Sequence, residues 1–157
     1  MAGHRGLGCA IALAATLAAA PAWASGSGGG ASEDAGQSSA LDRARGSIEA
    51  ENYGLAVERL NTLLPAQADN ADVHNLLGYA LRKQGKLAEA EAAYDRALEL
   101  DPEHRGALEY KGELHVRRGE LDEARDLLSR LDEACGLFGC EEYEELQKVI
   151  KNAAKDS

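Results

Sequence analysis

The sequence predicts an all-α fold: a superhelix of three antiparallel helical hairpins closed by a C-terminal capping helix. Three observations carry that expectation. Gly78 recurs as Gly112, Gly85 as Gly119, Leu87 as Leu121, Glu89 as Glu123 and Ala90 as Ala124, each 34 residues later. A period of this length marks a solenoid of helical hairpins. Composition agrees, since 45% of residues are apolar but only 4% are aromatic. A core built from alanine and leucine favours closely packed helices over a β sandwich. Punctuation agrees as well: Arg82-Lys83 before Gly85 and Arg117-Arg118 before Gly119 place cations and then a left-handed residue where helices end.

The elements follow in chain order. His4 and Arg5 open the chain, an apolar run extends from Leu7 to Ala20, and Pro21 precedes Ala22-Trp23-Ala24. That order reads as a secretory signal peptide over residues 1–24, cut after Ala24, and predicts a periplasmic protein. The run of 14 residues is short for a membrane span, which needs about 20. No stable membrane insertion is expected after cleavage, an uncleaved anchor being the alternative. Cleavage removes Cys9 and Trp23 and takes the formal charge from −10 to −11, since Arg5 is lost. Residues 25–39, SGSGGGASEDAGQSS, read as a flexible Gly/Ser-rich linker.

Residues 40–134 hold the three hairpin units, about 37–70, 71–104 and 105–134. The middle one is the clearest. Leu77, Gly78 and Leu81 share a helical face with His74 a turn earlier, and a second helix from Leu87 carries Ala90, Tyr94, Ala97 and Leu98 inward until Pro102 stops it. The third unit repeats this grammar through Gly112, Leu121, Ala124, Leu127, Leu128 and Leu131. Gly78 and Gly112 are expected to face Ala90 and Ala124 so that two backbones approach closely. The first unit is degenerate and survives mainly in Ala44, Tyr53, Ala56, Leu60 and Leu63. Residues 135–157 form a cysteine loop and a helix with Tyr143, Leu146, Val149 and Ile150 on one face, a cap for the last hairpin.

The stretch NLLGYALRKQGKLAEAEAAYDRALELDP resembles a tetratricopeptide repeat, with Leu77, Gly78, Ala90, Tyr94, Ala97 and Pro102 in the family's signature places. His74 stands where the family often has Trp, and Leu81 and His115 where it often has Tyr. The ending is also similar to that of small exported bacterial repeat proteins. The resemblance implies that the first helix of each hairpin lines a concave groove that contacts a protein partner. Carried onto this chain, the groove positions are Asn75, Tyr79, Arg82, Lys83, Glu109, Tyr110, Glu113 and Arg117, with Asp72, Arg45 and Glu49 beside them. Tyr79 and Tyr110 are the expected anchors, since tyrosine supplies contact area at low entropic cost; helix-to-helix packing is the competing role for both. Leu41, Gly106 and Tyr110 stand where chaperone-binding relatives place a polar or basic carboxylate clamp, which disfavours an acidic C-terminal peptide as ligand.

Few features suggest chemistry. Export makes a Cys135–Cys140 disulfide the default, worth roughly 2 kcal/mol on the loop-entropy account. A redox pair would want C-x-x-C at a helix start. His74, His104 and His115 read as packing residues rather than metal ligands. Nucleophile motifs, phosphate loops and zinc-protease helices are missing from the sequence. A charge of −10 argues against nucleic acid. The sequence therefore predicts a non-enzymatic, cofactor-free periplasmic adaptor whose partner is a protein or peptide of the cell envelope. A self-assembling envelope protein, or a metal or redox accessory using Cys135, Cys140 and the histidines, are the alternatives.

Overall fold

The computed structural model describes residues 30–155, with side chains from residue 39 onward. Seven α-helices follow in order: α1 (Gly30–Glu49), α2 (Tyr53–Leu63), α3 (Ala71–Lys83), α4 (Leu87–Leu100), α5 (Arg105–Arg118), α6 (Leu121–Cys135) and, after a 3₁₀ turn at Gly136–Phe138, α7 (Glu141–Ala153). Among the described residues there is no strand, and no helix is long and apolar enough to cross a membrane. The signal peptide expected over residues 1–24, with Cys9 and Trp23, lies outside the described residues.

One boundary differs from expectation. Residues 25–39 read as a flexible linker, yet α1 begins at Gly30 and takes in the second part of that segment. After Gly30 the stretch contains Ala31, Glu33, Asp34, Ala35 and Gln37. Alanine and glutamine have the propensity to extend a helix already nucleated by the packed residues after Ala40.

Each hairpin turns on the same hydrogen bond. Lys86 N donates to the Leu81 carbonyl and Glu120 N to the His115 carbonyl, at 3.0 and 2.9 Å, over Gly85 and Gly119, both at φ 80°. One period earlier Asn52 N donates to the Ser47 carbonyl at 2.8 Å, over Glu51 at φ 54°. Glu51 is the only non-glycine residue with positive φ among those described. The first repeat thus keeps the turn without its glycine, at a steric cost that a glycine avoids. Three helix starts are capped by side chains: Asn52 accepts from Leu55 N, Asn70 from Asp72 N and His104 Nδ1 from Ala107 N.

The apolar faces meet in two clusters. Leu41, Ala44, Leu60, Leu63, Val73, Leu77, Leu81 and Tyr94 fill the first; Ala97, Leu108, Ala124, Leu127, Leu131, Leu146 and Ile150 fill the second. Consecutive helices pack against one another along the chain, and the first helices α1, α3 and α5 also touch in succession. Among the described residues the backbones of α2, α4 and α6 stay farther apart, with no Cα of one within 8 Å of a Cα of another. First helices crowd while second helices splay, so the array curves with α1, α3 and α5 on its inner side.

One of the two small residues serves a different approach from the one expected. A Cβ on Gly78 would lie 2.6 Å from the Tyr94 ring, and one on Gly112 would lie 2.6 Å from the Leu146 side chain. Gly78 faces α4, the other helix of its hairpin, as expected, and the group that fills its gap is the Tyr94 ring. Gly112 admits the cap, not Ala124. With that room, α7 packs on α5 as well as on α6 and lies closer over its inner helix than α5 does over α3.

Candidate functional site

The inner helices bring aromatic rings into a chain. Tyr53 and Tyr79 meet edge to face at 6.4 Å between centroids, Tyr79 and Tyr110 at 4.9 Å, and Tyr110 and Tyr94 at 6.5 Å. Tyr79 and Tyr110 lie on adjacent inner helices and are both half-buried, so each packs against its neighbour and keeps part of its ring open. Arg82 sits between them, 5% exposed, with its guanidinium 5.3 Å from the Tyr79 centroid and 5.5 Å from that of Tyr110. Lys83 Nζ lies 5.3 Å from the Tyr79 ring on the solvent side.

Arg82 is held from below. Its Nη1 is 2.6 Å from Glu113 Oε2, and the buried Tyr94 hydroxyl lies beside it. Burial works against its charge, but Tyr94, Glu113 and Tyr79 outweigh that and raise its pKa. Burial also raises Tyr94, with Arg82 opposing, and pushes Tyr110 up to about 12, aided by Glu109, Tyr79 and Glu113. Arg117 Nη1 donates to the Arg82 carbonyl at 3.1 Å and ties the ends of α3 and α5 together. Of the residues read as groove contacts, Arg82 is therefore a cross-strut that positions the rings. Tyr79, Tyr110 and Lys83 face outward enough to touch a partner, and Glu113 and Arg117 brace the strut.

Asn75 is buried at the α3–α5 seam, its Nδ2 3.0 Å from where a Cβ on Gly106 would lie, so it supports the groove floor. Asp72 and Arg45 form an exposed pair at 3.5 Å, and Asp72 also meets His104 Nε2 at 3.2 Å; Glu49 is exposed. His115 Nδ1 pairs with Glu120 at 2.7 Å, and His74 Nε2 lies 2.8 Å from the Ala68 carbonyl. Each of the three described histidines thus has a local structural partner.

Glu109, one period after Asn75, lies at the other end of the groove, where α7 crosses α5. It is 9% exposed. Burial raises its pKa to about 8, Glu113, Glu142 and Glu145 push the same way, and Arg82 opposes them. A cleft of about 270 Å³ opens there, lined by Glu109, Tyr110, Glu141, Glu142 and Glu145. Sequence reasoning missed the three α7 glutamates as site residues. The run Glu141-Glu142 and Glu144-Glu145 was visible as a charged helix start, but nothing local showed which face would meet α5.

Cys135 and Cys140 form a disulfide with Cα atoms 5.5 Å apart. Its loop presents Leu137 and Phe138 wholly to solvent. Among the described residues, no group of three or more His, Cys, Asp or Glu side chains is placed to hold a metal.

The fold is similar to that of solved helical-repeat domains. The translocator chaperone SycD of Yersinia enterocolitica type III secretion superposes with a TM-score of 0.72 at 17% identity, over 83% of this chain and 96% of that one. A second SycD structure, in complex with a peptide of the translocator YopD, gives 0.65 at 18% identity, over 76% and 89%. The TPR2B domain of yeast Sti1, in complex with pHsp70, gives 0.70 at 17% identity, over 77% and 98%. A search of the curated proteins returned no match. The tetratricopeptide repeat family model matches residues 41–103 and again residues 80–136. These spans cover more than half of the sequence, and the chain belongs to the tetratricopeptide repeat family.

Proposed function

We propose that this chain is an exported adaptor that holds a peptide or helix of a cell-envelope protein against its inner helices. The coarser part of that reading, a tetratricopeptide scaffold for protein–protein interaction, is supported by family membership and by the fold shared with peptide-bound domains. Export and the envelope partner rest on the charged start, apolar run and Ala22-Trp23-Ala24 of the first 24 residues.

One observation carries the docking surface: Tyr79 and Tyr110, 4.9 Å apart on adjacent inner helices, are set by an Arg82 whose charge is already paired with Glu113. Rings fixed before binding lose little freedom on contact, so their area converts efficiently into affinity. Nothing in the arrangement couples a nucleophile to a base, and the proposal is non-enzymatic. The test is capture of partners from a periplasmic extract, in parallel with a Tyr79→Ala/Tyr110→Ala variant of unchanged helicity. An envelope protein retained by the wild type, cross-linked to α3 or α5 and lost from the variant, supports the reading. Equal capture by both overturns it, and fractionation that finds the chain in the cytoplasm overturns the export half.

End-to-end self-association draws on one feature, the wholly exposed Leu137 and Phe138 at the disulfide tip. A sedimentation mass that stays monomeric at rising concentration removes that second reading.

A further inference from the structure

Glu109 is a buried ionisable residue of the inner face whose carboxyl group opens into a cleft without a protein partner among the described residues. It is 9% exposed, and among the described residues no hydrogen bond or ion pair reaches its carboxyl group. The neighbouring cations are engaged elsewhere: Arg82 with Glu113 at 2.6 Å, and Lys148 with Glu145 at 3.4 Å. Buried carboxyl groups ordinarily have a partner, so one that opens into a cleft without one invites a group from outside. That cleft, about 270 Å³, has Glu109 on its α5 wall, Glu141, Glu142 and Glu145 on its α7 wall, and the Tyr110 ring beside them.

We propose that the cleft between α5 and α7 receives one arginine side chain of the protein partner. This rests on the groove-docking reading and adds to it the chemistry of one partner residue. A guanidinium is planar, carries five donors and stacks on aromatic faces, so it can bridge carboxylates on two walls while covering Tyr110. The carboxylates are not grouped as a metal ion would require among the described residues, which suits a broad organic cation better than a bare ion. Charge complementarity fixes the sign, for the cleft is lined by four glutamates and one tyrosine.

Binding is coupled to a proton. Free Glu109 holds its proton at neutral pH, because burial, Glu113, Glu142 and Glu145 raise it to about 8 against the pull of Arg82. An arriving guanidinium favours the ionised form, so the proton leaves for solvent as the ion pair forms. Affinity therefore rises with pH up to about 8 and levels off above it.

The probe is N-acetyl-argininamide, titrated into the full-length protein by NMR and by calorimetry in two buffers of different ionisation enthalpy. The expected result is saturable shifts confined to the amides around Glu109, Tyr110 and Glu142, with proton release at pH 7. Glu109→Gln, which keeps the shape of the protonated side chain, should weaken binding about tenfold or more. Shifts spread over the exposed acids without saturation, or an unchanged affinity in Glu109→Gln, would overturn the proposal. The two readings fail separately. If Glu109→Gln captures the envelope partner as well as the wild type does, the arginine pocket falls and the groove stands. If the probe saturates the cleft while the wild type captures no partner, the groove reading falls and the cation pocket stands.

Discussion

Arg82 and Glu109 are both buried ionisable groups on the inner helices, and their surroundings treat them oppositely. Arg82 has a carboxylate at 2.6 Å and two tyrosine rings within 5.5 Å, and its charged form is reinforced. Glu109 has other glutamates for neighbours and is driven towards its neutral form. One end of the groove is finished before any partner arrives; the other is left open. The contrast separates what holds the array together from what is free to recognise something.

The largest effect should come from the finished end. Arg82→Met strands Glu113 and removes the cation between the rings, and breaking a buried pair costs about 3 kcal/mol. Urea denaturation should show that loss, with the tyrosine environment altered before global unfolding. If the loss is negligible, Arg82 is not the strut described here. Next comes the boundary between the two ends. Gly112→Ala drives a methyl group into Leu146, where the gap is 2.6 Å, and overpacking of this kind costs about 2 kcal/mol. The loss should be local: hydrogen exchange in α7 speeds up while α3 and α4 keep their protection.

Glu109→Gln tests the open end, and its effect should grow with pH. Below pH 4.5 the wild-type carboxyl group is protonated both folded and unfolded; between 4.5 and about 8 only the folded state retains the proton. Wild-type stability from this group therefore falls as pH rises through that window. The variant, lacking the titration, should be near neutral at pH 4 and more stable than the wild type by about 1–2 kcal/mol at pH 9, the scale of a buried unsatisfied group. A wild-type curve parallel to that of the variant would mean Glu109 is ionised and solvated. The smallest effect lies far from both ends. Glu51→Gly relieves a left-handed backbone and should add about 0.5 kcal/mol, leaving the groove unchanged.

The sequence made the repeats legible because a repeat reports on its own neighbours. The 34-residue offsets located the start of α4 at Leu87 and the turns at Gly85 and Gly119, as the structure has them. The turn of the first repeat carries no such signal because Glu51 occupies it, and composition does not reveal a strained φ. The lean of α7 over α5 escaped for another reason. The cap is not a repeat, so no period relates Leu146 to Gly112, and the glycine was assigned to the hairpin interior instead. The sequence marks Arg82 as a groove residue, but its charge is paired with Glu113, 31 positions later on another helix. Spacing within one helix carries no trace of that pairing.

The tyrosine chain makes the domain its own optical probe. Four of the five tyrosines, Tyr53, Tyr79, Tyr94 and Tyr110, lie within 6.5 Å of the next ring, and the fifth, Tyr143, lies on the cap. The single tryptophan is Trp23, so a chain lacking residues 1–24 emits only from tyrosine. Excitation absorbed by any ring in the chain can migrate to its neighbours, and anything that settles on Tyr79 or Tyr110 drains the emission of all four. Ultraviolet fluorescence of the unlabelled protein then reads out occupancy of the groove. An incoming tryptophan from a partner would register as a new red-shifted band fed by those rings.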